Sequence, residues 1–176
     1  MCCRESFFEM VDIRRSIRQF EDTPVPEALV DRLLAAAMRA PSAGNLQAYQ
    51  ICVVRDPAIR RRLDAASGNQ GPVAQAPVVL VFCAMPARSA AKYGAKGEQL
   101  FCVQDATIAC TYAQLAASAL GLGSVWIGAV HEPEVMSAAL GLAEDVWPTA
   151  LLPIGYAAES PAPTSRRSLA ELVHSV

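Results

Sequence analysis

Histidine occurs only twice, as His131 and His174, and no two of the six cysteines form a Cys-x-x-Cys pair. A zinc or iron centre would have too few ligands in any usual spacing, so no metal is expected. Charged residues make up 18% of the chain and the formal net charge is -2, which excludes the strongly basic stripe of a nucleic-acid binder. No apolar run approaches the roughly eighteen residues of a membrane span. The start, Met1-Cys2-Cys3-Arg4-Glu5-Ser6, carries charge at once and has no apolar signal core, so a cytoplasmic protein is expected. Gly-x-Gly-x-x-Gly after a strand is missing too, which removes the Rossmann type of dinucleotide binder.

What is abundant is apolar surface. Hydrophobic residues reach 53% in 176 residues, enough for one well-buried core and short for two, so residues 1–176 read as a single domain. With so few charges to cover the outside, an obligate oligomer is the natural way to hide the excess. Cys52 and Cys83 lie in apolar runs, and Cys102 and Cys110 in an alanine-rich helical stretch, so these four read as small buried hydrophobes. Cys2-Cys3 reads as an exposed, oxidisable pair.

The order of elements follows from periodicity and punctuation. Ser6-Phe7-Phe8-Glu9 fits a capping box opening a first helix that ends near Arg14. Apolar positions recur at three- and four-residue intervals from Glu27 to Arg39, and a surface helix with Arg60, Arg61 and Arg62 outside runs from Pro57 to Ala66. Gln99 to Leu120, small or apolar on nearly every face, predicts an enclosed central helix stopped by Gly121-Leu122-Gly123. Pro133 and Gly141 bracket a short helix. Strands are predicted at 49–54, 77–84, 124–129 and 149–155, the last with Pro153 suggesting a sheet edge or bulge. The tail from Glu159 to Thr164 is Pro-rich and extended. The class is a mixed α+β fold.

Four groups of residues carry chemistry. Arg14-Arg15-Ser16-Ile17-Arg18 places three guanidiniums and a hydroxyl in five residues, a good grip for a phosphate, and Arg166-Arg167 would reinforce it if the two ends meet. Asn45 and Gln47 in one loop and Asn69-Gln70 in another supply amides that both donate and accept. A Trp126-Ile127-Gly128 strand end follows the central helix. Together they suit flavin mononucleotide (FMN), whose ring has an apolar body and a pyrimidine edge of alternating donors and acceptors. Asp105, in an apolar helix, needs a partner, either a dimer-related cation or the Thr107 region. Lys92, Tyr93 and Lys96 read as substrate contacts or solvated surface, His131 as a site residue or a loop histidine bonded to backbone, and Tyr112 and Trp147 as core or interface aromatics.

The chain resembles the FMN-dependent nitroreductase family in Arg14–Arg18, Ala40-Pro41-Ser42-Ala43-Gly44-Asn45-Leu46-Gln47, Ala76–Val81, Gly121–Gly128 and Arg166-Arg167-Ser168-Leu169, all in order. The resemblance implies a three-layer fold, a mainly antiparallel sheet flanked by helices, in an interlocked homodimer with FMN at the subunit interface. It implies that Arg14 and Ser16 hold the phosphate with Arg166 or Arg167, that Arg15 belongs to the same cofactor-binding segment, and that Arg18 lies near the N1–O2 edge of the ring. Ser42, Asn45 and Gln47 would face the flavin of the partner subunit. Gln70, or Asn69, would meet the pyrimidine edge, while Trp126, Ile127 and Gly128 back the ring. The implied activity is hydride transfer from NADH or NADPH, then ping-pong delivery of electrons to nitroaromatic, quinone or similar small acceptors. The chemistry belongs to the flavin and no general base is assigned. A non-catalytic FMN-holding carrier or regulatory protein of the same fold is the alternative. Ala48-Tyr49 stands where the family often has proline and an aromatic, and the short 85–99 segment implies an open pocket.

Overall fold

The computed structural model describes residues 7–176, and the proposed Ser6 cap and the Cys2-Cys3 pair lie outside them. Four strands form one antiparallel sheet in the order β1-β2-β4-β3: β1 (Tyr49–Val54), β2 (Val78–Ala84), β4 (Trp147–Gly155) and the two-residue β3 (Gly123–Ser124). Every residue of β2 is buried, as its unbroken apolar sequence requires of a strand covered on both faces. On one side α2 (Glu27–Ala37) and α6 (Cys102–Ala119) pack on Val78, Leu80, Phe82, Leu152 and Ile154. On the other, α3 (Pro57–Ala66) and α7 (Pro133–Leu140) meet Val79, Val81, Cys83 and Leu151. Alternate residues of β2 thus feed opposite layers, and the three-layer α+β expectation holds.

Local chemistry explains the ends of the elements. Asp56 caps α3, its Oδ1 accepting from Ala58 N at 2.7 Å and Ile59 N at 3.1 Å, and Pro57 occupies the first turn where its missing N–H costs nothing. Gly141 closes α7 in the left-handed conformation at φ 64°. In α6 the buried face is Ala106, Ala109, Cys110, Ala113 and Ala117, side chains small enough for the helix to lie close on the sheet.

Several expectations are corrected. Residues 86–96 form α5 (Pro86–Lys96), and a π-helical turn, Gly97–Phe101, leads from it into α6, so the short 85–99 segment holds a helix after all. Two further short helices, α4 (Pro72–Gln75) and α8 (Leu169–Leu172), and α1 (Phe7–Ile13) complete the set. The strand expected at 124–129 shrinks to β3 and an isolated bridge from Ile127 to Leu151. That gap accounts for Pro153, which sits inside the sheet, paired with Val79, and not on an edge. Leu151 N donates toward Ile127, so the N of Pro153 two residues on faces the same side, between Ser124 and Ile127, where no acceptor strand runs. Arg60 is not outside: its Nη1 donates to the carbonyls of Ala74 and Ala76. On the central helix Gln104, Thr111, Tyr112 and Ala119 face out of the protomer, and Tyr112 and Trp147 are 39% and 42% exposed, so of the core and interface readings of these two aromatics the core one is excluded.

Candidate functional site

The Arg14–Arg18 segment leaves α1 and lies beside β3: Ser16 bridges Ser124 in parallel and Ile17 N donates to Ser124 O at 3.0 Å. Gly123 permits the approach, since a Cβ there would sit 2.9 Å from Ile17 Cγ2. Gly123 is thus needed for contact, while Gly121, at φ 75°, is the glycine that closes α6. The C-terminal tail returns to the same place. Burial holds the Arg14 guanidinium below its ordinary pKa, and the neighbouring charges of Arg166 and Arg15 push the same way. The two ends of the chain do meet, and through Arg166. Arg167 turns aside to Glu171, donating to its carbonyl at 3.0 Å and facing its carboxylate at 3.8 Å. Among the described residues no carboxylate pairs with Arg14, Arg15, Arg18 or Arg166. Glu159 is nearby, but its carboxylate accepts from the backbone N–H groups of Arg18 and Gln19. A cavity of about 190 Å³ opens here, lined by Arg14, Arg15, Gly121 and Gly123 among others, and Ser124 Oγ is buried beside it without a hydrogen-bond partner. Cations gathered against their own repulsion, with an unsatisfied hydroxyl at hand, fit the phosphate of FMN.

Trp126, Ile127 and Gly128 continue from β3. The Trp126 ring folds over Gly128, where a Cβ would lie 2.5 Å from Cη2, and its indole N–H reaches the Cys110 thiol of α6. His131 and Glu132 then donate their backbone N–H groups to Ala66 O, and the His131 ring packs on Gly68. Its side chain is a loop contact against the 68–71 turn. That turn carries Asn69 and Gln70 and is strained by design, with positive φ at Gly68, Asn69 and Gly71. A buried carboxylate holds it: Asp64, 6% exposed, accepts from Gly71 N at 3.0 Å. Gln70 Nε2 donates to Ser67 O at 3.2 Å. Sequence reasoning missed Asp64; the visible signal was an acid at the end of an apolar helix face immediately before a Gly-rich turn.

The third group stands apart. Ser42, Asn45 and Gln47 occupy a loop in which Gly44, Asn45 and Gln47 all have positive φ. Ser42 Oγ accepts from Gln47 N at 3.0 Å and Gln47 Nε2 donates to Asn45 Oδ1 at 3.3 Å. Asp105 pins both ends, accepting from Ala43 N at 2.8 Å and Ala48 N at 3.3 Å, so its partner is this loop and neither a cation nor the Thr107 region. Lys92 and Tyr93 close over Gly44 from α5 and are thus loop contacts as well as surface. Asp105 and Ser118, which lies by the arginine cavity, are 13 residues apart on α6, about 20 Å along the axis. Within one protomer the arginines and Ser16 lie beside β3, from which Trp126–Gly128 continues to the 131–132 segment that packs on the 68–71 turn, while Ser42, Asn45 and Gln47 lie at the far end of α6.

Cys52 and Cys83 face each other diagonally across β1 and β2. A hydrogen bond from the Cys83 thiol draws Cys52 down to about 7, against its partial burial and with help from Gln50. Alkylation of Cys52 should accordingly rise with pH through about 7, and in Cys83→Ala the midpoint should move up by about a unit. Mass-spectrometric rates at Cys52 across the pH range check this.

These features define a class: an α+β protein with a group of arginines free of carboxylate partners at one end of a central helix and an amide-bearing loop at the other. Residues 11–75 and 64–156 match the model of the Nitroreductase family, and the chain belongs to that family. It is 37% identical over 188 residues to a "NADH dehydrogenase" of Thermus thermophilus, covering 91% of each chain. It is 35% identical to an "Oxygen-insensitive NADPH nitroreductase" of Salmonella typhimurium, covering 87% of this chain and 66% of that one. In three dimensions it resembles the NADPH:FMN oxidoreductase from Vibrio harveyi complexed with NAD+, with a TM-score of 0.88 at 28% identity over 96% of this chain and 76% of that one.

Proposed function

We propose that the protein is an FMN-dependent oxidoreductase that takes hydride from NADH or NADPH and passes the electrons, by a ping-pong mechanism, to nitroaromatic, quinone or similar small acceptors. The observation that carries this is the gathering of Arg14 and Arg15 on one cavity beside β3, with Arg166 close enough to repel Arg14 and, among the described residues, no carboxylate ion-paired to any of the three, the one acid of the lining, Glu159, being taken up by the backbone N–H groups of Arg18 and Gln19. Bound flavin supplies a centre that accepts and returns two electrons. The chain's own residues bind and orient it: Arg14, Arg15, Arg166 and Ser16 at the phosphate, Arg18 toward the N1–O2 edge, Trp126–Gly128 behind the ring, and Asn69 or Gln70 at the pyrimidine edge. Arg167, engaged with Glu171, is left to a supporting part.

The site is completed by a second copy. Ser42, Asn45 and Gln47 cannot reach the cavity of their own chain from the far end of α6, but a two-fold partner would bring its loop there. Phe7, Phe8, Leu169, Leu172 and Val173 are 60% or more exposed, and no residue of α8 is buried. Apolar tails of this kind are stable when exchanged between protomers.

The test is an absorption spectrum of the purified protein, repeated anaerobically after NADH and then NADPH. The twin flavin bands should be present and bleach, revealing the preferred donor. Bands that persist would favour a flavin-holding protein of the same fold, and absence of bands after added FMN would overturn the reading.

A further inference from the structure

The helix that the sequence left unexpected carries Arg88 and Lys92 and no acidic residue along Pro86–Lys96. One turn apart, they lie on one face, with Cβ atoms about 5–6 Å from each other. Arg88 is bonded to the amide loop and Lys92 lies against it. Arg88 Nε donates to Leu46 O at 2.5 Å, which leaves the two Nη groups of its fork unused. Lys92 Nζ lies within 2.6 Å of where a Cβ on Gly44 would be, and 5.4 Å from the centre of the Tyr93 ring, itself edge-on to Phe101 at 5.2 Å. Among the described residues neither cation has a carboxylate partner. Beneath Arg88 a groove of about 420 Å³ is floored by Met38, Tyr49, Ile51 and Met85, with Gln47 at its rim.

We propose that Arg88 and Lys92 bind a phosphate of the dinucleotide electron donor, with the adjoining groove receiving its adenosine. Two cations at this spacing can grip one phosphate or straddle a diphosphate, and Arg does so through a bidentate fork. An apolar slot with one amide at its edge suits a flat heterocycle. A nicotinamide stacked at the loop of Ser42, Asn45 and Gln47 would have its diphosphate link leaving toward α5, whereas a nitro compound or quinone carries no such anion. The proposal rests on the flavin reductase reading, since it takes that loop as the edge of the ring site.

The measurements are steady-state KM for NADH and NADPH, and equilibrium binding of NAD+ and NADP+ by calorimetry. Wild type, Lys92→Gln, Arg88→Gln and the double variant would be compared as flavin-loaded protein. For exposed charges each substitution should raise KM and the dissociation constant roughly fivefold and the double variant about twentyfold, with kcat held and the difference shrinking at high salt. Lys92→Arg should restore most of the affinity. A loss confined to NADPH and NADP+ assigns the 2′-phosphate; an equal loss for both donors assigns the diphosphate. Unchanged KM and binding in variants that are still reduced by the donor would overturn the proposal alone. A wild-type holoprotein that neither bleaches nor binds dinucleotide would overturn it together with the reductase reading.

Discussion

Asp105→Ala should destabilise the folded protein by about 3 kcal/mol while leaving every proposed phosphate contact in place. The side chain is 2% exposed, and its two oxygens accept from Ala43 N at 2.8 Å and Ala48 N at 3.3 Å. Hydrogen bonds to a charged acceptor contribute roughly 1.5–3 kcal/mol each, and removing the acceptor strands two amides in a poorly hydrated place. The loop between them is already costly, with Gly44, Asn45 and Gln47 at positive φ. Urea unfolding should show the loss as a lower midpoint at constant slope, and the melting temperature should fall by roughly 6–12 °C for a chain of this size. Asp105→Asn should fall between: one oxygen still accepts, but its amide N–H meets a backbone donor. Amide exchange at Ala43–Ala48 should speed up in both variants before global stability is lost. A stable Asp105→Ala with an unchanged loop would mean that water replaces the carboxylate, and that the loop is held by Ser42 Oγ and Arg88 instead.

That carboxylate marks the limit of what sequence carries. A lone acid in an alanine-rich helix announces that it is paired, but the helix periodicity says nothing of which loop arrives, 57 and 62 residues away. Asp64 plays the same part for the turn bearing Asn69 and Gln70 and looked like the polar end of an amphipathic helix. Where burial pattern alone decides, the reading succeeds: β2 is apolar without break and central, α2 shows its stripe, and α3 runs from Pro57 to Ala66. Where tertiary contact decides, it fails. β3 needs only two residues because β4 and the Arg14–Arg18 segment flank it, and α5, mostly Ala, Arg and Lys with a glycine near its end and Tyr93 as its one large side chain with apolar surface, has too few large apolar residues to announce a helix. Arg166 and Arg167 are equivalent in the sequence; Arg167 stands one residue before the Ser168 cap of α8, and only the capped turn sets it against Glu171.

Arg14→Ala should behave in the opposite way to Asp105→Ala, and the contrast separates binding residues from structural ones. The Arg14 guanidinium is partly buried, its pKa depressed by that burial and then by Arg166 and Arg15, and among the described residues it has no carboxylate partner. Without an anion this gathering of like charges opposes folding, so the substitution should leave the stability of flavin-free protein unchanged or slightly raised. With FMN present the sign reverses. A phosphate neutralises the cluster, and Arg14 contributes charge-assisted hydrogen bonds of roughly 1.5–3 kcal/mol, so affinity should fall by at least tenfold and by about a hundredfold if both fork contacts are lost. The stabilisation that saturating FMN gives to wild type should shrink by the same free energy, because a ligand bound to the folded state alone stabilises in proportion to the logarithm of its saturation. Titration of flavin fluorescence and thermal unfolding with and without FMN measure the two sides of this linkage independently. If apo stability falls and affinity holds, Arg14 is a packing residue at the α1–β3 junction and the phosphate lies elsewhere, with Arg15 and Arg18 the next to be replaced.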